Sequence, residues 1–162
     1  MKALGAEGVV FAAVTHALAK ALLFICLSGP EADGVLDGEH TGLATRYPVA
    51  TFGFLFGMLA MLGIPPTMGF LGRWRLYETA VQIGWPLAAV FILSSIFALI
   101  AYVLALTRIW WGPPREPSPP PTPSHPIREP FILRTVIVAL VVIILAVGIW
   151  PDALQMLLGG RP

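Results

Sequence analysis

The sequence predicts an all-α membrane protein with about four transmembrane elements, one of which is a discontinuous helix broken at Gly63–Pro66. Composition, the lengths of the apolar runs and a double proline support this prediction. Of the 162 residues, 57% are hydrophobic and only 12% are charged, whereas about a quarter of a typical soluble domain is charged. The mean hydropathy of +0.81 therefore indicates a chain whose solvent is mostly lipid.

Charge and composition also exclude several classes of function. A net charge of +1 gives no basic surface for nucleic acid, and the sequence has no glycine-rich phosphate loop. One cysteine and three scattered histidines do not supply the ligands of an iron–sulfur cluster or a haem. We therefore expect no cofactor and no metal in this chain, lipid around it, and no nucleic acid as a partner.

Three uninterrupted apolar runs, residues 8–28, 85–110 and 131–150, are each long enough to be a transmembrane helix. About 20 helical residues cross the roughly 30 Å of bilayer hydrocarbon. The first run follows Met1 and Lys2 and could be mistaken for a signal peptide. His16 and Lys20 lie in its middle, which argues against the uniformly apolar centre of such a peptide.

The fourth apolar run, residues 49–83, is too long for one straight crossing, and each half is slightly too short for its own. Pro65 and Pro66 remove two backbone donors in its middle, and Gly63 and Gly69 supply permissive backbone on either side. A break at membrane depth is tolerated where the freed backbone groups are buried in protein or line a wet cavity.

We therefore predict an interrupted helix within Leu62–Phe70, with unpaired carbonyls near Ile64. Discontinuous helices of this kind are where transporters place ion sites. An ordinary proline kink, or a tight hairpin between two short spans, remains an alternative.

Two linkers separate the spans in a single transmembrane domain that is predicted over residues 1–151, with a tail at 152–162. Residues 30–47 carry several acidic side chains, so we expect an exposed loop. Residues 112–130 are so rich in proline that they should form an extended, semi-rigid strap. A ligand for an SH3-type domain is the alternative interpretation of that strap.

The distribution of Lys and Arg near the span ends predicts the orientation. If the broken element crosses once, only Lys2 and Arg161 lie on the side of the two termini. The opposite side, which we therefore expect to be cytoplasmic, carries Arg46, Arg108, Arg115, Arg128 and Arg134. Both termini are then on the non-cytoplasmic side.

Lys20 is the strongest functional candidate because it lies near the middle of its span. A lysine at mid-bilayer costs about 2.5–3.5 kcal/mol, so it should face protein or water. His16 is one helical turn away on the same face, and the two nitrogens could exchange protons through one or two waters. The alternative is that Lys20 forms a static ion pair and His16 belongs to a polar patch.

Two ordered motifs carry a family resemblance: "HALAKALLFICLSG" at 16–29 and "GLATRYPVATFGFLFGMLAMLGIPPTMGFLGRW" at 42–74. They resemble the C-terminal half of the antiporter-like subunits of respiratory complex I, Mrp-type cation/proton antiporters and membrane-bound hydrogenases. The ending "VGIWPDAL" at 147–154 is similar to the last span of the complex I member that lacks a long lateral helix.

The resemblance implies roles for particular residues. His16 and Lys20 match proton-relay groups of a central hydrophilic axis. Arg73 stands where many members have a lysine or glutamate; because arginine keeps its proton, Arg73 could act as a gate but hardly as a carrier. The residues that match the helix break are Gly63, Pro65, Pro66, Gly69 and Phe70.

The residues beyond Arg73 allow one further prediction. Arg75 and Glu78 have the i,i+3 spacing of a helical ion pair, and we expect that pair to be mostly structural.

The resemblance implies a non-redox subunit, with no bond chemistry of its own, in an NADH-quinone oxidoreductase-like complex that translocates protons. We expect it in a bacterial inner membrane or an equivalent energy-transducing membrane. Its expected partners are other membrane subunits, including a chain that supplies the N-terminal spans of the antiporter fold. A charged side chain from such a partner, or a file of waters, should lie near Lys20.

The alternatives are a non-conducting structural or accessory subunit, in which Arg73 marks lost conduction, and a component of an Mrp-type antiporter. The chain would then be a split subunit, a fragment or a degenerate relative of the full antiporter-like subunit.

Overall fold

The computed structural model describes residues 2–34, 36, 42–112 and 129–150. All regular structure in these residues is helical, which confirms the predicted all-α class. The five α-helices are α1 (Lys2–Ala32), α2 (Pro48–Leu62), α3 (Met68–Ile83), α4 (Trp85–Ala105) and α5 (Phe131–Ile149). Nearly all of the predicted strap and the whole predicted tail lie outside the described residues.

Three helical segments are long and apolar enough to cross a membrane: Ala12–Ala32, Trp85–Trp110 and Phe131–Ile149. The last of the three predicted runs thus corresponds closely to α5, and α4 is extended to the predicted end of its run by a π-turn at Leu106–Trp110. α2 is a shorter apolar helix, as expected for one half of an interrupted element.

α2 packs antiparallel against α1, and glycines let the two backbones approach. A Cβ atom at Gly53 would lie 2.7 Å from the Cys26 sulfur, and one at Gly57 would lie 3.0 Å from Leu23. Small residues at such positions are typical of helix contacts in membranes. α5 lies against the same pair, because its Ile137 would be 2.6 Å from a Cβ at Gly53.

α3 runs along α1 in the same direction as α2 and contacts the next part of α1. Its first turn lies beside Thr15, where a Cβ at Gly69 would be 3.1 Å from the Thr15 methyl group. Contacts along α1 therefore pass from Cys26 at the start of α2 to Thr15 at the start of α3. The two halves follow one another as a single broken element, and they do not fold back as a hairpin.

The break itself spans residues 63–67 and confirms the predicted interruption within Leu62–Phe70. Gly63 has a φ of 69°, and its N–H donates to Ala60 while the N–H of Ile64 donates to Leu59. These two bonds form the Schellman motif that ends helices at a left-handed glycine.

The expectation of unpaired carbonyls near Ile64 is wrong for the Ile64 carbonyl itself. The Ile64 oxygen accepts hydrogen bonds from the Thr67 N–H at 3.1 Å and from Thr67 Oγ1 at 2.7 Å. A threonine three residues on closes a local turn in this way, so the break supplies its own donors at this carbonyl.

The expectation of an exposed loop at 30–47 is also wrong in part. Pro30 belongs to the last turn of α1, and Leu43 and Tyr47 are buried around a short 3₁₀ turn. The Tyr47 hydroxyl donates to the Asp33 carboxylate, so one acidic side chain of the loop is tied to a buried phenol.

The segment that leads into α5 lies at the same end of the molecule. Glu129 Oε1 accepts a hydrogen bond of 3.0 Å from the N–H of Ala50, in the first turn of α2. A carboxylate at a helix N-terminus satisfies a free amide and complements the helix dipole. The starts of α2 and α5 therefore lie side by side.

Candidate functional site

A cavity of about 200 Å³ lies beside the helix break, between α1, α3 and α4. His16 from α1 and Arg73 from α3 both line it, together with Met61 from the end of α2 and Ser94 from α4. The structure thus brings together two of the three predicted relay or gate residues.

Arg73 makes two hydrogen bonds that join three helices. Its Nη2 donates to the carbonyl oxygen of Met61 at 2.7 Å, and its Nη1 donates to Ser95 Oγ on α4 at 2.7 Å. The Met61 carbonyl is one of the last four in α2, which have no partner within the helix. A fixed positive charge there also complements the negative end of the α2 dipole.

The two glycines of the break shape the space that Arg73 occupies. A Cβ at Gly63 would lie 2.7 Å from Arg73 Cδ, and one at Gly69 would lie 2.0 Å from the carbonyl oxygen of Ala60. Neither position can hold a larger residue without displacing a helix or the arginine. Both glycines therefore hold the end of α2 and the start of α3 close enough for Arg73 to reach across.

The other three predicted break residues are described by the structure and are exposed at its surface. Pro65 and Pro66 form the exposed turn. Phe70 is also exposed, and its ring packs against Trp74 with a centroid separation of 5.9 Å. Their part in the site is to end α2 and to begin α3.

Lys20 lies one turn further along α1 than His16, and both side chains are exposed on that helix. Within the part of the chain that the structure describes, Lys20 makes no hydrogen bond or ion pair and does not line the cavity. The partner group predicted near Lys20 therefore stays a prediction.

Glu78, which the sequence predicts to pair with Arg75, accepts a hydrogen bond of 3.0 Å from Trp74 Nε1. The Arg75–Glu78 pair itself stays a prediction. Glu78 and Trp74 belong to a second hollow, an open groove of about 370 Å³ along α3 that Tyr77 also lines.

Sequence reasoning missed two hydroxyls of the site. Ser95 Oγ accepts from Arg73 and is 2.6 Å from the Tyr77 hydroxyl, with either oxygen able to donate. For Ser95, the only signal in the sequence is the pair Ser94-Ser95 inside an otherwise apolar run. Hydroxyl side chains in a transmembrane helix often bond to their own backbone, so the pair alone did not identify a site.

The fold and the cavity define an all-α membrane protein with a discontinuous helix, and a cavity lined by a charged side chain lies beside the break in that helix. A family model described as "NADH:quinone oxidoreductase/Mrp antiporter, TM" matches residues 1–98, and the chain belongs to this family. The resemblance predicted from the sequence motifs is thereby confirmed.

Two curated relatives extend the match beyond those residues. NADH-quinone oxidoreductase subunit N of Alkalilimnicola ehrlichii is 32% identical over 158 residues, which cover 93% of this chain and 30% of that protein. F(420)H(2) dehydrogenase subunit N of Methanosarcina mazei is 28% identical over 160 residues, covering 91% of this chain and 31% of that protein. The chain thus spans about a third of the length of these relatives.

A solved structure shares the fold. The Mrp complex from Dietzia sp. DQ12-45-1b contains a chain that matches with a TM-score of 0.74 at 24% identity, covering 91% of this chain and 35% of that one. At this identity the match supports the helical arrangement alone.

Proposed function

We propose that this chain forms a proton-translocating part of an antiporter-like subunit in a multi-subunit, redox-driven membrane complex of the NADH-quinone oxidoreductase type. Membership in the family and the names of the relatives support this proposal. The observation that carries it is the cavity beside the broken helix, which His16 and Arg73 both line. Transporters place ion sites at such breaks.

In this proposal protons move along α1 from Lys20 to His16 and then into the cavity. The two residues are four positions apart, so they share one face of the helix. Histidine can take and release a proton near neutral conditions. Arg73 keeps its proton, so it acts as a fixed charge at the cavity wall and opposes the presence of a second positive charge.

The exposed side of α1 that carries Lys20 is proposed to face another membrane subunit of the complex, with lipid around the assembly. That subunit supplies the polar groups or water that a lysine at mid-bilayer requires. The proposed location is the bacterial inner membrane or its equivalent.

We further propose that both termini face the non-cytoplasmic side. The contact between Glu129 and Ala50 supports this orientation, since it brings the starts of α2 and α5 together, with Arg46 and Arg134 at the same end. An excess of arginine marks the cytoplasmic end of membrane helices.

One observation favours a second function, a non-conducting subunit that packs and seals the complex. Both terminal nitrogens of Arg73 are engaged in hydrogen bonds that join helices, which a purely structural role would also need. The two functions differ in what the loss of Lys20 does.

The test compares Lys20→Ala with Phe24→Ala in the whole complex reconstituted into liposomes. Phe24 is one turn further along the same helix, exposed and uncharged, so it matches the position without the amine. Proton uptake is measured per redox turnover. The proposal expects Lys20→Ala to lose most of the uptake while redox turnover and the Phe24→Ala control are retained; uptake equal to the wild type in Lys20→Ala would support the structural subunit.

A further inference from the structure

A line of polar side chains connects the two hollows on either side of α3. Arg73 lines the cavity that contains His16 and donates to Ser95. Ser95 is hydrogen-bonded to Tyr77, and Tyr77 lines the open groove that also contains Glu78. Arg73, Ser95 and Tyr77 thus form a polar connection between the two hollows.

Ser95 can bond in two alternative ways. Its single proton can be donated to the carbonyl oxygen of Phe91 at 2.9 Å or to the Tyr77 hydroxyl at 2.6 Å. Hydroxyls both donate and accept, whereas a guanidinium only donates. Arg73 therefore holds Ser95 Oγ as an acceptor on one side and leaves the direction of the Ser95–Tyr77 bond free to reverse.

We propose that Ser95 and Tyr77 pass protons between the His16 cavity and the Glu78 groove, with Arg73 as the residue that positions Ser95. This inference rests on the proposed function, because it assigns the route by which a proton gets past an arginine that cannot carry it. A reversible hydroxyl pair provides that route without any change in the protonation of Arg73.

The transfer balances as a chain of proton shifts. Tyr77 releases its hydroxyl proton to the Glu78 carboxylate or to water in the groove, and Ser95 passes its own proton to the Tyr77 oxygen. Ser95 is not among the residues that line the cavity, so a chain of waters from the cavity past Arg73 returns a proton to Ser95, and His16 replaces the proton taken from that water. One proton has moved from His16 to the groove, both hydroxyls are restored, and their rotation resets the pair.

Arg73 contributes more than position to this step. Negative charge develops on the hydroxyl oxygens as their protons leave, and a fixed cation 2.7 Å from Ser95 Oγ is aimed at that charge. Preorganised donors of this kind stabilise a developing oxyanion. An arginine that only blocked the route would not need to bond to a hydroxyl that continues to the next hollow.

Thr107 provides a control on the helical segment that continues α4. Its hydroxyl donates to the Val103 carbonyl at 2.9 Å, four residues earlier, as the Ser95 hydroxyl does to Phe91. Thr107 lines neither hollow. In the described hydrogen bonds it contacts neither Arg73 nor Tyr77.

The experiment measures proton uptake per redox turnover by the whole complex in liposomes. It compares Ser95→Ala, Ser95→Thr, Tyr77→Phe, Thr107→Ala and Lys20→Ala. Ser95→Ala and Tyr77→Phe should each lower uptake by about tenfold or more, since a positioned proton-transfer group contributes at least that much to a rate. Ser95→Thr, which keeps a hydroxyl, should recover most of it. Thr107→Ala should match the wild type.

A fall smaller than tenfold in Ser95→Ala or in Tyr77→Phe overturns the inference. So does Ser95→Thr no better than Ser95→Ala, because a structural role for the serine would explain that result. Loss of uptake in Lys20→Ala with wild-type uptake in both hydroxyl variants defeats this inference alone. Wild-type uptake in Lys20→Ala as well defeats the proposed function. If Ser95→Ala does not assemble, Tyr77→Phe decides.

Discussion

Replacing Gly69 by alanine should separate the two halves of the broken helix. The added Cβ would lie 2.0 Å from the carbonyl oxygen of Ala60 and 3.1 Å from both the Ala60 carbonyl carbon and the Thr15 methyl group. Backbone atoms of a helix cannot give way as a flexible side chain can, so the start of α3 must move by more than 1 Å to reach ordinary contact, roughly 3.3 Å or more.

The structure gives an approximate size for this effect. Overpacking of a close contact costs about 1–3 kcal/mol. The displacement would also weaken the bond from Arg73 to the Met61 carbonyl, and a hydrogen bond to a charged group is worth about 1.5–3 kcal/mol. We therefore expect Gly69→Ala to lose about 2–5 kcal/mol of unfolding free energy.

The buried thiol of Cys26 provides the assay. Maleimide labelling of Cys26 in the detergent-solubilised complex reports opening of the α1–α2 contact, and it should begin at a lower temperature or denaturant concentration in Gly69→Ala. Gly84→Ala is the matched control, since the nearest atom to its Cβ is at 3.6 Å. If Gly69→Ala labels under the same conditions as Gly84→Ala, the close approach at the break is not as described.

Two further predictions concern Arg73 and Tyr47. Arg73→Ala should lose about 1.5–3 kcal/mol of stability in the same labelling assay, because the Met61 carbonyl loses a charged donor. Arg73→Lys should recover part of this loss. Equal labelling of the wild type and Arg73→Ala would contradict a stabilising role for the bond from Arg73 to the Met61 carbonyl. Burial and the hydrogen bond to the Asp33 carboxylate raise the pKa of Tyr47, so the folded state holds the phenol proton more tightly than the unfolded state. That contribution to stability is complete below about pH 10 and is lost as the pH rises further. In thermal unfolding, Tyr47→Phe should therefore lose less stability than the wild type between about pH 10 and 12. Parallel plots of stability against pH for the two proteins would refute this prediction.

The break could be predicted from the sequence because its causes are local. Pro65, Pro66 and Gly63 act on their own backbone, and the length of the apolar run required an interruption. The pairing of His16 with Lys20 on one face of α1 follows equally from helical spacing.

The polar contacts around Arg73 could not be predicted because they depend on how helices overlap. The position of Met61 next to Arg73 follows from the close approach at Gly69, and the contact with Ser95 follows from the register of α4 against α3. Neither is a property of one segment. The burial of Tyr47 was missed for a similar reason, since the acidic residues around it indicated solvent.

The central claim is that Lys20 gives up its proton during turnover, and Lys20→Arg tests it most directly. Arginine keeps the charge and the approximate length of the side chain but cannot release a proton. In the reconstituted complex, the account predicts that Lys20→Arg translocates as few protons per redox turnover as Lys20→Ala, with redox turnover retained. A wild-type proton ratio in Lys20→Arg would contradict it and would show that Lys20 serves only as a fixed charge.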